Sequence, residues 1–219
     1  ISPPYVLKAD GPAAGKGVLI LNDLVKAKEE LSNMLLKNKF GKAGQKVVVE
    51  GFLSGIELSC FVLLDGKSYL TLPSAKDYKR IGEGDKGLNT GGMGSISPVP
   101  FADEEFLSKI DNKIIKPTVH GIIKDKLDYV GFLFIGIIKV ENEPFVIEYN
   151  VRMGDPETQV VLPRIKNDFL ELMIKTTTGK LDTIKIEVDE MSYSNVVMVS
   201  GGYPEAYEKG KKITGLNKE

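Results

Sequence analysis

Ile147-Glu-Tyr-Asn-Val-Arg-Met-Gly-Asp-Pro-Glu-Thr-Gln159 sets a dense polar run directly behind an apolar hairpin. Alternation along a strand puts Glu148 and Asn150 on one face. A carboxylate and an amide oxygen two residues apart can share a hard cation such as Mg²⁺, leaving the other ligand positions to phosphates and water. Arg152, Asp155 and Glu157 then project from the strand's end, where developing charge would be neutralised. A purely structural reading has to explain so many polar groups after an apolar hairpin, because burying them unpaired is costly.

The hairpin itself reads as Gly131 to Val140 and Phe145 to Asn150, turning at Glu141-Asn142-Glu143. A second hairpin is expected upstream, Ile56 to Leu64 against Ser68 to Leu72, with Asp65-Gly66 in the turn. Ala75 to Ser95 is a long polar stretch read as a loop, and loops of that length in a compact domain are often functional. It contains Lys76-Asp-Tyr-Lys-Arg80 and then Asn89-Thr-Gly-Gly-Met-Gly94. Cations followed by glycines whose amides can form a nest suit an anionic substrate such as a sugar phosphate; a solvated surface loop is the alternative. Asp103 to Lys124 has helical character, with Pro117 expected to break or kink it. Asp168 to Thr177 reads as another helix, and Tyr193 to Ser200 as a strand.

Nearer the amino end, Tyr5 to Ala9 and Val18 to Leu21 form a hairpin. Asn22 can cap a helix from Asp23 to about Leu36, with Leu24, Ala27, Leu31, Met34 and Leu35 on one face. A strand at Lys46 to Glu50 completes a small α/β unit. The hairpin turn, Lys8-Ala-Asp-Gly-Pro-Ala-Ala-Gly-Lys-Gly17, offers backbone amides and the charges of Lys8 and Lys16 to phosphate oxygens. It is not a P-loop: Gly11 and Gly15 stand one residue too close, Gly17 replaces the Ser or Thr, and a strand follows. A plain glycine turn is the competing reading. Glu50-Gly-Phe-Leu-Ser-Gly-Ile-Glu57 closes the small unit and can present backbone groups to an adenine edge and a carboxylate to ribose hydroxyls. An ordinary strand-turn-strand would look the same.

Bulk composition narrows the chemistry. The chain has 219 residues, 42% hydrophobic and 27% charged, with a formal charge of −1, which argues against general binding to a phosphate backbone. The longest apolar run, Val130 to Ile138, is too short to span a bilayer. A lone cysteine, Cys60, and no visible signal peptide point to a reducing, cytoplasmic setting. With one His and one Cys, most His-centred triads and Cys/His zinc sites lack ligands. His120 reads as a surface or packed histidine and Cys60 as core. The remaining groups suit phosphoryl chemistry, in which a protein positions and neutralises. Only Arg80, Arg152 and Arg164 are arginines among 29 cationic side chains, and two of them fall in the polar motifs, where a forked donor matters.

Taken in order, these segments resemble the ATP-grasp ligases, and within them the phosphoribosylamine–glycine ligases; the likeness covers nearly the whole chain. That resemblance implies an α+β fold in which two α/β subdomains with antiparallel sheets clamp ATP. It implies a small subdomain at 1–50, a large one at 51–190 and the start of a carboxy-terminal domain at 191–219. It also implies a longer polypeptide that supplies an amino-terminal domain and the rest of the carboxy-terminal one, so that the segment alone is not a competent ligase. By the same resemblance, glycine is activated by ATP to glycyl phosphate and joined to 5-phosphoribosylamine, giving glycinamide ribonucleotide, ADP and phosphate in purine synthesis. Lys8, Gly11, Gly15, Lys16 and Gly17 would hold ATP phosphates; Glu50, Phe52, Leu53 and Glu57 would hold adenine and ribose. Glu148 and Asn150 would hold Mg²⁺ or Mn²⁺. Asp77, Arg152 and Asp155 would be catalytic, and Lys79, Arg80, Asn89, Thr90, Gly91 and Glu157 would bind substrate. No nucleic acid or membrane partner is implied. One departure is that the strand before Glu148 carries Gly136 and no acid. Another carboxylate–amine ligase of this superfamily, or a non-catalytic nucleotide-binding module, are the alternatives.

Overall fold

A computed structural model describes residues 1–13 and 17–216 of the chain. Two compact units emerge, Ile1–Ser54 and Gly55–Glu219. The division falls four residues beyond the expected boundary at 50, and 191–219 lies inside the second unit. Gly55 shows why it belongs there: a Cβ on it would collide with the Lys139 carbonyl of the same unit.

The first unit contains β1 (Tyr5–Ala9), β2 (Val18–Leu21), α1 (Leu24–Leu35), a 3₁₀ turn (Gly41–Gly44) and β3 (Val47–Gly51). Its antiparallel sheet has the order β2-β1-β3. The cap of α1 is Asp23 rather than Asn22: Asp23 is extended and its carboxylate accepts the Lys26 amide at 2.8 Å. Ala27 and Met34 are buried, whereas Leu24 and Leu35 at the helix ends remain exposed.

The second unit runs β4 (Ile56–Leu64), β5 (Tyr69–Thr71), β6 (Lys76–Asp77), β7 (Arg80–Gly82), β8 (Lys86–Asn89), β9 (Gly94–Ser97), α2 (Glu104–Ile110), α3 (Lys116–Lys124), β10 (Gly131–Val140), β11 (Glu143–Asn150), α4 (Thr158–Val161), α5 (Phe169–Thr177) and β12 (Tyr193–Val196). The main antiparallel sheet is ordered β11-β10-β4-β5, a smaller one β12-β9-β6, and β7 pairs with β8 as a ribbon. β4 reads as an unbroken apolar run because both its faces are covered. Leu58, Cys60, Val62 and Leu64 pack with Phe106, Ile110, Ile114 and Val119 of the helical layer. Phe61 and Leu63 point the other way, onto Phe134, Val160, Val161 and Leu172. Each such fully buried side chain contributes about 1.5–3 kcal/mol.

Two expectations need correction. Ala75 to Ser95 is not a structureless loop but carries β6 to β9. Strands of two to four residues, with a positive-φ turn at Gly84 and Asp85 between β7 and β8, are too short to show alternation. Nor does Pro117 break the helix. A single π turn, Asp111–Ile115, precedes it and sets Pro117 in the first turn of α3, where its missing N–H costs least. Among the described residues, no helix is long and apolar enough to cross a membrane.

Candidate active site

Beside the main sheet of the second unit opens a cleft of about 110 Å³, lined by Glu57, Ser59, Lys79, Gly136, Ile147 and Glu148 among others. Glu148 reaches it because β11 carries a bulge. Gly136 of β10 pairs with Glu148, but the next residue, Ile137, pairs with Val146, so Ile147 is an extra residue. Bulges twist a strand locally and re-aim its side chains. Glu148 and Asn150 emerge together, with Asn150 Nδ2 donating to Glu148 Oε1 at 3.1 Å. Tyr149 points the other way, its hydroxyl 2.9 Å from that of Thr118 on α3. Gly136 leaves the room that Glu148 uses, since a Cβ there would stand 3.3 Å from Glu148 Cγ.

Arg152 follows, donating to the Met153 carbonyl at 3.0 Å and to Asn150 Oδ1 at 3.3 Å. Its guanidinium carbon lies 5.9 Å from the centre of the Phe134 ring, so the exposed fork is held from two sides. Asp155 is exposed and accepts from Gln159 at 2.8 Å. Arg164, the remaining arginine outside the motifs, is buried and structural. Its fork grips the Asp189 carbonyl at 2.9 and 3.1 Å and Ser97 Oγ at 2.9 Å.

At the opposite wall Lys79 donates to Glu57 at 2.7 Å and lies 3.6 Å from Asp77. Burial alone would lower the Lys79 pKa, but the Asp77 and Glu57 carboxylates, with Glu148 behind them, outweigh it and hold the ammonium above its ordinary value. Burial pushes the Asp77 carboxyl up; Lys79 offsets part of this and Glu57 adds to it. Glu157 is buried at 4% exposure and accepts from Ser59 Oγ at 2.9 Å. Its carboxyl is also raised, by burial first and by the charge of Asp77 second. Two raised carboxyls, Asp77 and Glu157, thus stand behind the cleft, bonded to its lining residues Lys79 and Ser59.

This arrangement predicts an inverted pH response. A carboxyl whose folded pKa is raised binds its proton more tightly in the folded chain, so its contribution favours folding at low pH. That contribution is lost as pH climbs from the ordinary 4.5 toward the raised value of Glu157. Glu157→Gln keeps an acceptor for Ser59 without the buried charge. We expect the variant to equal or exceed the parent in stability at pH 7 and to converge with it near pH 4, read from denaturant midpoints. A variant less stable at pH 7 than at pH 4, relative to the parent, contradicts this.

Four amides of the glycine loop are hydrogen-bonded within the second unit. Thr90 and Met93 amides donate to the Lys79 and Tyr78 carbonyls, each at 2.7 Å. The Gly92 amide donates to Thr90 Oγ1 at 3.0 Å and the Gly91 amide to the Tyr203 hydroxyl at 3.1 Å. The glycines also allow close packing: Gly92 lies under Pro156 and Gly94 under the Asn195 carbonyl. The two motif loops thus rest on each other. Arg80 and Asn89 face one another across the β7–β8 ribbon, and Arg80 donates to the Gly87 carbonyl at 2.8 Å.

Lys8, Gly11, Gly17, Glu50, Phe52 and Leu53 belong to the first unit, Glu57 to the second. Lys8 and Glu50 are paired at 2.6 Å across β1 and β3. Gly11 packs against Ala43, where a Cβ would come within 2.7 Å of its Cα, and Gly17 lies against Ala13 and Ala9. Gly15 and Lys16 lie outside the described residues. His120 is exposed and Cys60 is buried, its thiol pushed up to about 12 by burial. Sequence reasoning missed Ser59, Asn195 and Tyr203. A serine inside the apolar β4 run was the one available signal, because a buried hydroxyl needs a partner.

The sequence matches the family described as phosphoribosylglycinamide synthetase, ATP-grasp (A) domain, over residues 1–158. It is 50% identical over 211 residues to a bifunctional purine biosynthetic protein of Pichia angusta, covering 95% of this chain and 27% of that protein. Against a phosphoribosylamine–glycine ligase of Caldanaerobacter subterraneus it is 46% identical, covering 97% and 51% respectively. A crystal structure of the corresponding ligase from Thermotoga maritima superposes with a TM-score of 0.87 at 39% identity, covering 98% of this chain and 54% of that one. The chain spans about half the length of the bacterial ligases it matches. An L-amino acid ligase of Bacillus licheniformis, 16% identical with a TM-score of 0.61, shares the fold.

Proposed function

The chain belongs to the phosphoribosylglycinamide synthetase family, as its ATP-grasp domain, and from that premise we propose that it binds ATP and a divalent cation and activates glycine for ligation to 5-phosphoribosylamine. The observation that carries this reading is a cleft that Lys79 and Glu148 both line, with Asn150 bonded to Glu148 and Arg152 to Asn150.

The donor set fits a hard cation. A half-turn of the Asn150 amide, whose Nδ2 now donates to Glu148 and whose Oδ1 accepts from Arg152, would set two oxygens side by side, and among the described residues no group of three or more His, Cys, Asp or Glu competes as a protein-only cage. Mg²⁺ and Mn²⁺ both accept carboxylate and amide oxygens and take their remaining ligands from phosphate and water. A cation there would offset charge on the nucleotide's phosphates. The chain's own groups do the rest. Lys8 would supply charge for phosphate in the first unit, and Glu57, now paired with Lys79, would accept from a ribose hydroxyl. Glycine's carboxylate attacks the γ-phosphorus, the bond to the β–γ bridging oxygen breaks, and ADP departs. Arg152 and Lys79 spread the charge of the transferring group. The amine of phosphoribosylamine then attacks the glycyl carbonyl, phosphate leaves, and Asp77 takes the amine proton, a role that its raised pKa suits. Asp155 and Glu157 orient the substrates. No protein nucleophile is needed.

The test is ADP release by the full-length protein with ATP and Mg²⁺, with and without glycine and phosphoribosylamine. Release that requires both substrates supports the reading; release driven equally by other acids and amines replaces it with a different carboxylate–amine ligase.

A further inference from the structure

Asn195 touches both motif loops with one side chain. It lies on β12 opposite Ser95 of β9, where its Oδ1 accepts the Ser95 amide at 2.6 Å. Its Nδ2 donates to the Pro156 carbonyl at 3.1 Å. Ser95 Oγ stands 2.8 Å from both that carbonyl and Asn195 Oδ1, and its single proton serves one of them at a time. Because the Ser95 amide can only donate and the Pro156 carbonyl can only accept, the orientation of the Asn195 amide is fixed. Further along, the Val197 amide donates to the Met93 carbonyl at 2.9 Å, and Tyr203 accepts from Gly91 at 3.1 Å. The segment from 193 to 203 thus grips the glycine loop from 91 to 95 and, through Asn195, joins it to the turn that carries Asp155 and Glu157.

Building on the ligase reading above, we infer that Asn195, seconded by Tyr203, is a positioning residue that fixes the separation of the two substrate loops and so sets affinity for the acid and amine substrates rather than for ATP. The physical reason is registry. Thr90 and Lys79 on one loop and Arg152, Asp155 and Glu157 on the other must hold one small substrate together, and a shift of about 1 Å between such groups can cost up to about 100-fold. Lys8 and the turn at Gly11, which face ATP in this reading, belong to the other unit.

The experiment uses the full-length protein with Asn195→Ala and with Asn195→Asp, which keeps the shape but sets a carboxylate oxygen against the Pro156 carbonyl. Steady-state KM for glycine, phosphoribosylamine and ATP is measured alongside amide hydrogen exchange. The expected result is a KM raised about tenfold to 100-fold for glycine or phosphoribosylamine, with that for ATP within about twofold. Exchange should quicken at 90–95 and 154–157 only. Unchanged KM values overturn the inference, as do equal losses for all three substrates with faster exchange across 56–64, which mark a merely structural residue. If Asn195→Ala does not fold, Tyr203→Phe serves instead: it leaves the strand pairing intact and should free the Gly91 amide to exchange, and unchanged exchange there counts against the inference. Should the parent protein release no ADP with glycine and phosphoribosylamine, the ligase reading fails, while the exchange data still decide whether Asn195 couples the loops.

Discussion

Glu148→Ala in the full-length protein should lower ADP release about 100- to 1,000-fold at saturating ATP, with partial recovery at high Mg²⁺ or Mn²⁺. Glu148 is the anionic member of the proposed donor pair on β11, and the amide oxygen of its neighbour Asn150 accepts from Arg152. Without the carboxylate, a neutral amide would have to hold the cation against solvent. Because Glu148 is exposed, its removal leaves no cavity and no buried orphan, so stability should change by less than about 0.5 kcal/mol. That separation makes the experiment clean: a melting temperature close to the parent's with activity lost identifies a site residue. Activity above half of the parent's value would remove Glu148 from the metal role.

The pairing of Glu148 with Asn150 is legible in the sequence. Glu148 and Asn150 were placed on one face by strand periodicity alone, and their 3.1 Å contact bears that geometry out. The hairpins that begin at Ile56 and Gly131 are visible because buried antiparallel strands leave long apolar runs. What stayed hidden has physical causes. The bulge at Ile147 changes no residue type, so alternation counts straight through it. β7 and β8, of three and four residues, span at most two periods of alternation, too few to read. Asn195 is separated from Ser95 by 100 residues and acts through an amide bonded to the Ser95 and Pro156 backbone, which leaves no mark in the sequence. In Asn89-Thr-Gly-Gly-Met-Gly94 the sequence does not show that Gly92 and Gly94 also leave no room for a side chain, because Pro156 and the Asn195 carbonyl press on them.

That last point gives the second large effect, Gly92→Ala. Gly92 has φ +125°, a region that L-residues rarely enter, and a Cβ there would collide with Pro156 Cδ and stand 3.0 Å from Pro156 Cγ. Backbone strain contributes about 1–3 kcal/mol and overpacking a similar amount, so the variant should lose about 3–5 kcal/mol. For a domain stabilised by about 5–15 kcal/mol this is a third or more of the total. Gly179→Ala separates the two causes: Gly179 also has positive φ, +66°, but nothing lies within 4 Å of its added Cβ. It should cost only about 1 kcal/mol. Denaturant midpoints of both variants read the difference directly. If the Gly92 variant survives with the same midpoint as the Gly179 variant, the loops tolerate separation and their packing does not hold the site. If it folds but is displaced, catalysis should fall further than stability does, because Pro156 is flanked by Asp155 and Glu157, and any movement that relieves the collision carries those two carboxylates away from Lys79 and Thr90.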